Sequence, residues 1–354
     1  MIEPLPGIGR DDIDRSVRSL WRYQAALPIS MKPISLGEGC TPLVEKIWRG
    51  NSFLFKLEWF APTGSFKDKG ASVLVSLLRQ QSIDRFLEDS SGNGGAALAA
   101  YGAAAGLGVR IVTPAYTQPA KVVQMRAFGA DVQLIPGNRE ASAEEAIRQS
   151  QTIFYASHNW HPFFLQGTKM TAYEIWEDLG FSAPDNVVVP VGAGSNVLGC
   201  EIGFSELKNA GQIARLPRIF GVQPENCAPI AAAVAQSNDP FTAKPTMAEG
   251  ASIANPIRLP EVVAAARKTG GGIVAVSESE IESALFELAE LGLFVEPTSA
   301  LTAAALNRLI ASGAIAPDET TVVLLTATGI KSLLQITELT ASREAKQSSL
   351  SLPA

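Results

Sequence analysis

The chain has 354 residues, with 29 basic against 35 acidic side chains, a formal net charge of -6 and 46% hydrophobic residues. That length exceeds the size at which one hydrophobic core stops growing, so two lobes are expected. The acidic balance offers no electrostatic footprint for nucleic acid or an anionic membrane surface, and no apolar run approaches the roughly 20 residues that cross a bilayer.

The opening carries Glu3, Arg10, Asp11 and Asp12 among prolines and glycines, without the basic and apolar regions of a signal peptide, so a cytoplasmic location is expected. Cys40, Cys200 and Cys227 are odd in number and far apart, which speaks against a disulfide framework or a zinc ribbon and for buried thiols. Residues 52–57 form an apolar run that reads as a buried strand, Pro62 and Gly64 punctuate the next stretch, and a helix-forming run begins near Lys67. Downstream, β-rich runs alternate with Ala-rich ones: strand 85–89, helix 94–106, strand 109–113, helix 119–128, strand 131–135 and helix 142–149. The order repeats with a helix over 173–179, a strand at 186–191, a helix after Asn196, a strand at 218–222 and a late buried strand ending at Thr326. This spacing predicts an α/β protein with two open, mostly parallel sheets joined by right-handed crossovers, with a ligand cleft outside the carboxyl ends of the strands. The polar, Ser-rich segment 342–354 is expected to be a frayed tail.

Three turns carry chemistry. Lys67 sits where an apolar strand hands over to a helix, although a lysine in a first helical turn opposes the macrodipole and most lysines sit in solvent. A lysine of lowered pKa can instead form a Schiff base with an aldehyde. Ser90, Ser91, Gly92, Asn93 and Gly94 end a strand and open a helix, an anion site suited to a substrate carboxylate, although an ordinary N-cap turn would use the same residues. Gly192, Ala193, Gly194, Ser195 and Asn196 likewise follow a β-branched strand and precede a helix, exposing a nest of N–H groups suited to a phosphate. A dinucleotide fingerprint fails because Val197 occupies its third glycine position; a plain structural turn stays open. Thr326 is unremarkable by itself. His158 and His161 lie three apart on a loop with no third ligand spaced nearby, so no metal site is expected.

Together these residues resemble the fold-type II family of pyridoxal-phosphate enzymes, of the tryptophan synthase β-like superfamily, and threonine synthase most of all. The likeness runs in consistent order from Leu36-Gly37-Glu38-Gly39-Cys40-Thr41-Pro42-Leu43, through Pro62-Thr63-Gly64-Ser65-Phe66-Lys67-Asp68-Lys69-Gly70 with Lys69 where Arg is usual, to Glu296-Pro297-Thr298-Ser299-Ala300 and Thr326 with Gly329-Ile330-Lys331. It implies pyridoxal 5′-phosphate held by Lys67, with Asn93 at the ring oxygen, 192–196 on the 5′-phosphate and Ser90, Ser91, Gly92 and Gly94 around the substrate carboxylate. It also implies Thr326 against the pyridine nitrogen, where a neutral hydroxyl leaves the ring a weaker electron sink and steers chemistry toward elimination and replacement at the β or γ carbon. The larger lobe is expected to comprise 1–70 and 166–354 and a smaller mobile one 71–165, in a homodimer. The implied reaction is O-phosphohomoserine plus water to threonine plus phosphate. A serine or threonine dehydratase with the same cofactor stays open, as does a non-catalytic amino-acid sensor, which would be expected to lose Lys67. Besides Lys69, three positions depart from the threonine synthase pattern: Gly94 stands where Thr is usual, Ala327 where Gly is frequent, and Phe164 in place of an arginine that grips a phosphorylated substrate. Lys69, Lys121, Lys169 and Arg126 are the candidate compensating cations.

Overall fold

The computed structural model describes residues 2–90, 92–137, 139–236 and 241–350. The chain opens with a hairpin, β1 (Leu43–Trp48) and β2 (Asn51–Leu57), paired antiparallel. Arg49 and Gly50 both have positive φ, +47° and +85°, the geometry that matches a two-residue turn to strand twist. Helix α1 (Lys67–Gln80) leads into β3 (Arg85–Asp89), α2 (Asn93–Ala105), β4 (Gly108–Pro114), α3 (Pro119–Ala127), β5 (Asp131–Ile135), α4 (Arg139–Gln149) and β6 (Phe154–Tyr155). The chain continues through α5 (Pro162–Thr168), α6 (Met170–Asp178), β7 (Asn186–Pro190), α7 (Ser195–Asn209), β8 (Arg218–Pro224), α8 (Pro229–Val234), α9 (Leu259–Lys268) and β9 (Gly272–Val276). It closes with α10 (Glu278–Glu290), α11 (Pro297–Ala311), β10 (Thr321–Leu325) and α12 (Leu333–Leu350).

Two sheets result, one of six strands in the order β1-β2-β10-β7-β8-β9 and one of four in the order β5-β4-β3-β6. Among the described residues every pairing between these strands except the opening hairpin is parallel. The central strands β7 and β10 are buried at all five positions, as parallel strands covered by helices on both faces must be. Helix α1 joins the two halves: Val73 and Leu77 belong to the core beneath the large sheet, whereas Ala71, Leu74, Val75 and Leu78 belong to the core of the small one. Consequently the carboxyl ends of β2, β3, β7 and β10 all open toward one cleft. Two expectations change. Helix α12 carries the segment from Ser342 onward as helix through Leu350, in place of a frayed tail; residues 351–354 lie outside the described ones. Cys40 is exposed, while Cys200 and Cys227 are buried.

Candidate active site

The turn before α1 is stitched to the end of β10. Phe66 N–H donates to Thr326 O at 2.9 Å, Thr328 N–H donates to Gly64 O at 3.2 Å, and Ser65 bridges Ala327. The Asp68 carboxylate accepts from Thr63 N (2.7 Å) and Oγ1 (2.5 Å), and Lys331 Nζ donates to Thr63 O at 2.8 Å. Lys69 points the other way, into a buried cluster: its Nζ lies 2.8 Å from Glu58 Oε1 and 3.1 Å from Glu174 Oε1, and Lys56 shares Glu174 at 3.1 Å. Burial alone would push the Glu174 carboxyl up, but the two ammonium groups outweigh it and hold it well below its ordinary value. Lys69, at the position where Arg is usual, therefore serves the scaffold, as does Glu38, which accepts from Trp21 Nε1, Ser72 Oγ and Tyr101 OH. Lys67 alone of this segment's lysines faces the cleft. Its Nζ lies 4.8 Å from the Phe66 ring centroid and 5.4 Å from that of Phe164. Burial lowers its pKa to about 8, with Glu88 opposing the shift and Arg139 adding to it.

The cavity in front of Lys67, about 800 Å³ including its mouth, is lined by Ser90, Gly92, Asn93, Gly94, Thr326 and the whole run from Gly192 to Asn196. Ser91 lies outside the described residues. The 192–196 loop has room only for glycine at two places. A Cβ at Gly192 would lie 2.5 Å from Gly250 O; one at Gly194, where φ is +95°, would lie 2.2 Å from Val262 Cγ2. Its backbone donors open α7, and the Asn196 Oδ1 is buried without a partner among the described residues. Asn93 donates through Nδ2 to Glu296 at 3.0 and 3.3 Å, while its Oδ1 is likewise buried and unpartnered. Thr326 Oγ1 lies 3.0 Å from Ser299 Oγ, which accepts from the N–H groups of Thr326 and Ala327. A buried amine, an N–H nest, orphaned amide oxygens and a fixed neutral hydroxyl around one cavity fit an aldehyde cofactor that carries a phosphate and a ring nitrogen.

The substrate end differs from expectation. Phe164 is fully buried behind the cavity wall, its ring against the backbone of Gly70, edge-on to His158 at 5.6 Å, so this position presents a packed ring and no cation. Of the candidate cations only Lys121 lines the cavity, 3.2 Å from Glu249. Lys69 is held by Glu58 and Glu174, Lys169 is buried against Glu206 at 2.8 Å, and Arg126 is exposed. Among the lining residues that the sequence does not mark as site residues are Arg139, 3.2 Å from Asp89; His158; Glu296, which holds Asn93; and Glu249. Only Glu296 stands in a recognisable motif; the others had no sequence signal.

Three comparisons place this architecture among known proteins. The family profile for pyridoxal-phosphate dependent enzymes matches residues 34–327. A threonine synthase of Methanosarcina acetivorans is 36% identical over 320 residues, covering 87% of this chain and 79% of that protein. One from Methanocaldococcus jannaschii is 35% identical over 326 residues, covering 88% and 80%. Among solved structures, processed threonine deaminase isoform 2 from Solanum lycopersicum shares the fold with a TM-score of 0.72 at 22% identity, over 96% of both chains. Maize serine racemase does so at 0.69 and 22% identity, over 86% of this chain and 93% of that one.

Proposed function

Because the chain belongs to the family of pyridoxal-phosphate-dependent enzymes and has threonine synthases among its relatives, we propose that it is a carbon–oxygen lyase converting O-phosphohomoserine and water to threonine and phosphate. The observation that carries the site is the convergence of the buried Lys67 amine, the 192–196 amides and the Thr326 hydroxyl on one cavity. In this reading Lys67 and the 192–196 nest hold the cofactor, with Asn93 and Thr326 beside its ring. Bound there, the cofactor supplies an electron sink for charge that develops at the substrate α-carbon. Lys67 takes and returns protons at the substrate carbons, which its lowered pKa of about 8 permits near neutral pH. Backbone donors around Ser90, Gly92 and Gly94 hold the α-carboxylate at the start of α2. Lys121 and Arg139 supply the positive charge at the substrate end in place of the arginine that Phe164 replaces.

A dehydratase of the same cofactor class is favoured by one observation: Lys121 and Arg139 are each already paired with a carboxylate, which suits a substrate without a phosphate. Steady-state assays separate the two. Threonine and phosphate should form in equal amounts from O-phosphohomoserine, faster than any oxoacid from serine or threonine. Rapid oxoacid release from serine with no threonine from O-phosphohomoserine would replace this reading with the dehydratase. A cytoplasmic homodimer belongs to the same proposal and rests on the resemblance alone; light scattering checks the dimer.

A further inference from the structure

The two departures nearest the substrate meet at one side chain. A Cβ at Gly94 would lie 2.8 Å from His158 Cε1, 2.9 Å from Nδ1 and 3.0 Å from Nε2, so the imidazole fills the space a threonine would occupy. Phe164 packs edge-on against the same ring. His158 Nδ1 lies 2.6 Å from Glu88 Oε1, and the His158 backbone N–H donates to Glu88 Oε2 at 3.0 Å. Glu88 thus fixes both the ring and the loop that carries it. Nε2 has no partner among the described residues, and the ring lines the cavity together with Lys67 and Gly94. A buried imidazole backed by a buried carboxyl, with one ring nitrogen free at a reaction cavity, is the arrangement of a proton-transfer group.

We propose that His158 is a catalytic acid and base of this site, with Glu88 as its positioning residue; this rests on reading the cavity as that of a carbon–oxygen lyase. As the carbon–oxygen bond breaks, its electron pair goes to the departing phosphate oxygen. That oxygen takes the proton from His158 Nε2, while the Glu88 carboxyl proton passes to Nδ1. When water adds, Nε2 takes one of its protons, the hydroxide oxygen joins carbon, and the Nδ1 proton returns to Glu88, which resets the pair. Protons at carbon remain with Lys67. Burial raises Glu88 well above its ordinary range, helped by Asp89 beside it, and lowers His158 well below its own, helped by Lys67 and Arg139. Both shifts favour the uncharged pair, whose imidazole proton sits on Nε2. The charged groups facing the ring are therefore Glu88 and Asp89 from β3, Lys67 from α1 and Arg139 from α4; α5 contributes Phe164 and α2 contributes Gly94.

The test uses holoenzyme and whichever of O-phosphohomoserine and serine the wild type turns over. His158→Gln should lower kcat roughly 100- to 10,000-fold, the range of general acid–base catalysis, with KM and the cofactor absorbance little changed. His158→Ala should be similarly impaired, and added imidazole should restore about tenfold or more, an effect absent from wild type. The chain has two histidines, so ring NMR of the His161→Gln holoenzyme reports His158 alone. That signal should stay neutral and Nε2-protonated from about pH 6 to 8 and move on Glu88→Gln. A kcat within about threefold of wild type in His158→Gln, or a His158 ring that titrates like a free imidazole, overturns the proposal and leaves the lyase reading intact. Loss of kcat together with lost cofactor absorbance and no imidazole rescue would assign His158 a structural role and overturn it equally. A wild type that turns over neither substrate removes the lyase reading, and the relay with it.

Discussion

Burial of Lys67 decides when its amine can react. An ammonium is not a nucleophile, and the neutral form of a group with a pKa of about 8 accumulates as pH rises through that value. The rate at which apoprotein takes up pyridoxal phosphate, followed by absorbance, should therefore climb through pH 8 and level off; a rate that keeps rising past about pH 10 would indicate an ordinary exposed lysine. At this scale Lys67, Asn93 and Thr326, which line one cavity, could be picked out together because the resemblance places each in a motif. His158 and Arg139 were not, because their partners Glu88 and Asp89 lie 70 and 50 positions away. Phe164 and Gly94 read as losses of a cation and a hydroxyl. In the folded protein they are the wall and the floor of the His158 ring, a relation that no spacing along the chain expresses.

The site is built from strand-to-helix turns, and the turn from β7 to α7 makes the sharpest demand. At Gly194, φ is +95° and a Cβ would meet Val262 Cγ2 at 2.2 Å. Gly194→Asp should also set a carboxylate among donors aimed at a dianion, weakening cofactor affinity by about tenfold or more, or 1.4 kcal/mol. Titration of the variant with cofactor, alongside circular dichroism to show that the fold persists, checks this; unaltered affinity in a folded variant would remove the nest. Strands β3, β4, β5, β7, β8 and β10 could be read because their short apolar runs, β-branched in all but β3, are bounded by turns and helical segments. The opening strand β1 could not, since its exposed face carries Glu45 and Ile47 and it pairs as a hairpin, outside the strand-helix alternation. Beyond Ser342, Glu, Ala, Lys and Gln are good helix formers, and they extend α12 where low hydrophobicity had suggested fraying.

Across the whole molecule, one helix ties the two halves to the chemistry. The chain leaves the six-stranded sheet after β2, builds the four-stranded sheet and returns at β7, and α1 packs into both cores while its first residue is Lys67. Composition and periodicity revealed two α/β halves, but which strand pairs with which came only with the structure, because parallel neighbours such as β2 and β10 lie far apart in sequence. The chemistry proposed for the cleft rests on Lys67 attaching the cofactor. Borohydride reduction of the purified protein, digestion and mass spectrometry should find the pyridoxyl group on the peptide carrying Lys67, and Lys67→Ala should be colourless and inactive. A label on Lys56, Lys69, Lys121 or Lys331 would contradict it.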